Sequence, residues 1–294
     1  MTRTPTPNRP VTPLRALALA ALVALGACTT PQAEPEGAPR KETLHALTQG
    51  MELLTLNAGQ PRKIDKRVAV TGLPAGDALV GLDYRVAKGV LYAVSRKGMV
   101  FTLNADTGLL TAVSAKPLEP SLEGDAFGVD FNPVADRIRV VSNTGQNLRF
   151  HPDTGALAMR DPALNFAPGD SQAAFPPEVV AAGYTYNKTN DKLTTNYAID
   201  RRAGTLVTQG TVEGVQPAVS PNTGQLRTVG PLGTGPLLDA TLDIADVSGA
   251  AFAAVRTATA PRTRLYLVNL SSGVAQLMGT VGDGAPLIGM AIAP

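Results

Sequence analysis

From Leu44 onwards the hydrophobic positions alternate in short runs and never settle into a helical period. "GVLYAVSRKGMVFTLNADTGLLTAVS", Gly89 to Ser114, reads as three strands separated by glycine-containing turns. After Ala27 no long stretch has apolar residues every third or fourth place, so few helices are expected.

Two signatures recur. One is an apolar or small residue, a glycine and then alternating side chains: "VGLDYRV" at Val80, "FGVDFNPV" at Phe127, "AGYTYN" at Ala182 and "IGMAIAP" at Ile288. The other is a turn ending in glycine, at Gly59, Gly108, Gly155, Gly204 and Gly273. Their intervals are 49, 47, 49 and 69 residues, and the last is again 49 when counted from the "NTG" turn at Gly224. A unit of about four dozen residues with several short strands falls in the range of propeller blades. The predicted fold is therefore an all-β propeller. Five blades are expected, or six if Gly210 to Gly230 forms its own. The first unit begins at Leu44 and lacks a "GLDY"-like strand. "PLIGMAIAP", at the other end, is a strand of that type with no hairpin after it, so the C-terminal strand is predicted to complete the first blade and close the ring.

What precedes Leu44 has a different character. Arg3, Arg9 and Arg15 lead into the apolar run Ala16 to Ala27, in the order of an export signal. "LGAC" then places small residues directly before Cys28, the only cysteine, and resembles the lipobox of bacterial lipoproteins. The resemblance implies a signal peptide over 1–27 and acylation of Cys28, hence a membrane partner reached through an N-terminal lipid anchor. Thr29 follows the cysteine where an Asp would retain the protein at the inner membrane. The implied address is thus the outer membrane, on its periplasmic or its outer face. Residues 28–43, rich in Pro, Glu and Ala, read as a disordered tether, and 44–294 as the propeller domain.

Charge narrows the function. A formal charge of +2 with dispersed basic residues disfavours nucleic acid, which needs a concentrated positive face. A single cysteine excludes an internal disulfide. Only His45 and His151 are present, far apart, so a zinc site or a serine–histidine–aspartate triad has little material. Oxygen donors are more plentiful: the acids Asp83 and Asp130 and the "NKTND" loop, Asn187 to Asp191, offer hard ligands for calcium, although no dedicated calcium loop is present.

The densest polar set lies in "FGVDFNPVADRIRVVSNTGQNLRF". Asp130 and Asn132 share one face of a strand next to the central channel, and Arg137 and Arg139 follow on its neighbour. Two readings stand side by side. In one, Asp130 pairs with an arginine and the set is scaffold. In the other, Asp130, Asn132, Arg137 and Arg139 line a channel mouth and grip a polar or anionic ligand.

The run "GDAFGVDFNPVADRIRVVSNTGQNLRFHPDTG", with "GLDYRVAKGVLYAVSRKGMVFTLNADTG" and the later "RTVGPLG", resembles the bacterial family known as domain of unknown function 4394. That resemblance implies a secreted or envelope propeller and carries over no catalytic residue. The expectation is a non-catalytic module binding a protein or a small polar ligand, with no cofactor unless calcium. The alternative is a calcium-dependent hydrolase of the lactonase kind, which would need several channel carboxylates around one ion.

Overall fold

The computed structural model describes residues 1, 2, 4, 34 and 37–294. The "LGAC" site and Cys28 lie outside the described residues, as does most of the expected signal. Glu34 to Pro294 form one compact unit.

Strands β1 (Thr43–Thr48), β2 (Glu52–Asn57) and β3 (Ile64–Ala69) make the outer part of blade 1. Blade 2 is β4 (Leu79–Arg85), β5 (Val90–Ser95), β6 (Val100–Leu103) and β7 (Leu110–Ala112). Blade 3 is β8 (Phe127–Asn132), β9 (Arg137–Ser142), β10 (Asn147–Phe150) and β11 (Leu157–Arg160). A short β12 (Asn165–Phe166) precedes blade 4, which is β13 (Val179–Tyr184), β14 (Asn196–Asp200), β15 (Thr205–Gln209) and β16 (Gln225–Pro231). Blade 5 is β17 (Leu237–Ile244), β18 (Ala251–Thr257), β19 (Arg264–Val268) and β20 (Ala275–Thr280). The last strand, β21 (Leu287–Ile292), returns to pair antiparallel with β1, Ala46 opposite Met290, and becomes the inner strand of blade 1.

The ring is a five-bladed propeller closed by its C-terminal strand, as the repeats predict. Gly210 to Gly230 makes no sixth blade. It supplies the outer strand β16 of blade 4, against which β12 adds in parallel. That extra length explains the 69-residue interval. Turn glycines 108, 155, 204, 224 and 273 all have φ between 63° and 82°, the left-handed region where a side chain is strained.

Among the described residues no single core fills the ring. Five apolar clusters lie between successive blades: Leu47, Leu53, Leu82 and Phe101 between blades 1 and 2, for example, and Leu44, Phe252 and Met290 between blades 5 and 1. Each blade thus buries both faces, which is why its inner and middle strands read as nearly continuous apolar runs rather than alternating ones. The chain just before β1 also docks on the ring. The Glu34 carboxylate accepts from the Thr280 amide and hydroxyl, both at 2.6 Å, and Glu42 accepts from the Ser248 hydroxyl at 2.6 Å. These contacts fall within the segment 28–43 that composition marks as tether.

Candidate functional site

The inner strands β4, β8, β13, β17 and β21 surround the propeller axis, and their glycines set how closely they approach. A Cβ on Gly128 would lie 2.6 Å from the backbone of Ala181 and Ala182, and one on Gly289 would lie 2.8 Å from the Leu82 side chain. The axis is consequently almost filled at this level. Gly81, Gly128, Thr241 and Gly289 line a void of only about 10 Å³, room for about one water. The Thr241 hydroxyl is buried without a partner among the described residues and borders this void, so such a water would satisfy it.

Two residues beyond this constriction, three inner strands each carry an aspartate. Asp83, Asp130 and Asp243 are 5%, 2% and 6% exposed, and each offers a carboxylate oxygen within 4.8 Å of the others. Every one of them spends one oxygen on the next blade. Asp83 Oδ2 accepts from the Phe131 amide at 2.7 Å, Asp130 Oδ1 from the Tyr184 amide at 3.1 Å, and Asp243 Oδ2 from the Ile292 amide at 2.6 Å. The three acids therefore tie blade 2 to 3, blade 3 to 4, and blade 5 to 1. At the matching place blades 4 and 1 carry Thr185 and Ala291.

No arginine or lysine pairs with any of the three among the described residues. Burial pushes the Asp83 and Asp130 carboxyls well above the usual carboxylate range, and the neighbouring acids add to it, against the lowering effect of the amide bonds. Burial likewise raises Asp243, to about 7, with Asp246 contributing and the Ile292 and Ile244 amides opposing. Burial raises the Tyr186 phenol, and the charges of the same three acids and of Asp246 add to it. The donor set is all oxygen, so it suits a hard cation rather than zinc. Oxygens on opposite sides of calcium lie roughly 5 Å apart, given bonds of about 2.3–2.6 Å, and the observed separations fit that span.

The scaffold reading of Asp130 with an arginine does not hold. Arg139 stands opposite Asp130 in the β8–β9 register, but its guanidinium turns outward to Asp161, at 3.2 Å, and to Tyr184 and Asn222, both at 2.6 Å. The residues of the ligand reading are not brought together around one space either. Asn132 caps its own turn by accepting from the Val134 and Ala135 amides, Arg137 donates to the carbonyls of Ala135 and Asp136, and Arg139 is fully buried. In the "NKTND" loop the Asn187 oxygen is taken by the amides of Thr189 and Asn190, as in an ordinary turn. His45 and His151 belong to different blades.

Asp243 is the member that the repeat signature misses, because Thr241 replaces the glycine. A second signal was there to find it. "LD" is followed by a residue of left-handed conformation six places after the aspartate in both β4 and β17, at Gly89 with φ 61° and Gly249 with φ 70°; Asp136 holds the same place after Asp130 with φ 50°.

The fold and the axial carboxylates define a five-bladed propeller with an acidic, oxygen-only centre. Residues 52–291 match the model of the family described as domain of unknown function DUF4394, and the chain belongs to that family. No curated protein matches the sequence. Among solved structures it is similar to glutaminyl cyclase of Myxococcus xanthus, at 14% identity over 79% of this chain and 97% of that one, with a TM-score of 0.44. It is also similar to a protein of unknown function from Bacteroides thetaiotaomicron, at 14% identity over 80% of this chain and 59% of that one, with a TM-score of 0.45.

Proposed function

We propose that this protein is an envelope-anchored binding propeller that holds a calcium ion on its axis as a brace between blades, and that it is not a catalyst. The observation that carries the reading is the convergence of Asp83, Asp130 and Asp243, three buried carboxylates without a counter-cation among the described residues. Leaving three such charges together is costly, and a divalent cation offsets both their repulsion and their desolvation. Because each acid also holds the next blade through a backbone amide, the ion would stiffen three of the five junctions at once. A hydrolase would need an ion open to substrate. The burial of all three ligands, and the oxygens they commit to backbone amides, one each from Asp83 and Asp130 and both from Asp243, favour the bracing role. Anchoring rests on the "LGAC" sequence at Cys28, and the mass of the mature chain reads whether acyl groups are present.

The test is calcium titration followed by melting temperature and calorimetry. A ligand bound only by the native state stabilises it by about 2.7 kcal/mol at a hundredfold excess over Kd. Calcium should raise the melting temperature, a chelator should reverse the rise, and Asp130→Asn should abolish it. The sign with pH follows from the raised carboxyls. In metal-free protein the folded state keeps protons that the unfolded state has released above the ordinary aspartate value of 3.8, so stability falls as pH rises from there through about 7. Calcium competes with those protons, so its stabilising effect should grow over the same interval. No shift in melting temperature and no heat of binding at millimolar calcium would defeat the reading.

A further inference from the structure

At the opposite end of the axis the N-terminal ends of all five inner strands open into a pocket of about 370 Å³, in the size range of small-molecule sites. Its wall is apolar: Leu79, Val80, Phe127, Val180, Leu287 and Ile288. The glycine constriction closes it below, so it is a cup and not a passage. Charged groups stand at the rim, and all but one are matched. Asp239 is bound by Arg256 at 2.8 Å, while Arg201 lies between Glu178 at 3.1 Å and Asp125 at 3.8 Å. Arg96 is the exception. Its guanidinium lies over the Phe127 ring, 5.3 Å from the centroid, and no carboxylate among the described residues pairs with it.

We infer that this cup binds a small organic carboxylate with a flat or apolar body, the carboxylate on Arg96 and the body against Phe127 and the aliphatic wall. The inference rests on the binding reading above and names its ligand class; it does not depend on the axial ion. An arginine offers paired donors in the plane that a carboxylate matches, and stacking on Phe127 holds that plane still while leaving its edge open. The apolar wall supplies affinity without choosing a charge, so discrimination falls to Arg96. Burial raises the Asp239 carboxyl and Arg256 neutralises it, which reduces its repulsion of an incoming anion.

The experiment uses phenylacetate and 1-naphthylacetate, each paired with its neutral amide, titrated into the purified protein by calorimetry and by NMR, with calcium and with chelator. Saturable binding of the acids is expected, with the amides weaker by about tenfold or more, and Arg96→Gln should bring acid and amide together. The Arg96→Gln variant and the parent are checked for native melting in both conditions first. Equal affinity of acid and amide, an unchanged acid affinity in Arg96→Gln, or no binding of either acid at millimolar concentration overturns the inference. Failure of the calcium brace would appear separately, as loss of the calcium-dependent melting shift while carboxylate binding persists in chelator.

Discussion

The junctions on either side of blade 3 each bury an arginine, and they are built in opposite ways. Between blades 2 and 3, Arg85 grips Asp136 and Asp153, but those carboxylates are 45% and 65% exposed and keep much of their water. Between blades 3 and 4, Arg139 and its partner Asp161 are both sealed, at 1% and 4% exposure. The surrounding cores differ to match. The 2–3 junction packs Tyr92, Phe127, Phe131 and Phe150, whereas the 3–4 junction has Phe166 in its apolar cluster and fills the rest with Asn147, Gln209, Asn222 and the buried Tyr184, whose hydroxyl meets Arg139. One junction is held by apolar burial with a clamp at its edge. The other depends on a polar network in which every member needs the rest.

The largest effect should therefore fall on Arg139. Arg139→Ala takes the donor from the Tyr184 hydroxyl and the Asn222 oxygen and one of two from Asn147, in a dry space where Arg149 still holds Asp161 at 2.7 and 2.8 Å. At about 1–3 kcal/mol for each buried group left unsatisfied, the loss should be on the order of 3–5 kcal/mol in denaturant melts. A loss similar to that of Arg85→Ala would show that water enters the 3–4 junction and would erase the contrast.

A smaller effect is expected from the axis glycines of the same two junctions. Gly128→Ala drives a Cβ against the backbone of blade 4 at 2.6 Å, while Gly81→Ala meets the Val129 side chain at 2.5 Å. Overpacking of this kind costs about 1–3 kcal/mol, and the backbone clash should sit at the upper end because a side chain can turn aside. Equal melting temperatures for the two variants would mean that the blades slide apart freely.

The least change is expected from Arg85→Ala. Its carboxylate partners return to solvent once released, so about 1 kcal/mol should be lost, mostly through the packing of the arginine stem. A value near that of Arg139→Ala would place the two clamps in one class.

The repeats were legible because they are local. A strand that buries both faces, a turn that needs a left-handed residue and an inner-strand glycine each leave a mark at a fixed interval, and closure by β21 followed from counting one strand short at the start and one over at the end. Asp83 and Asp130 were visible as channel acids for the same reason. Asp243 escaped the glycine repeat, since its strand carries Thr241 there; the "LD" with glycine six places on marks its strand as equivalent, but that it meets Asp83 and Asp130 is a matter of position on a ring. The choice of partner for Asp130 and Arg139 was likewise beyond the pattern. They face each other across β8 and β9, yet the guanidinium reaches Asp161, 22 residues on, and Asn222, 83 residues on. A period in the chain fixes which residues point to the axis and which to the next blade. Which charges then meet depends on how five blades are spaced and twisted around that axis, and only the closed ring decides it.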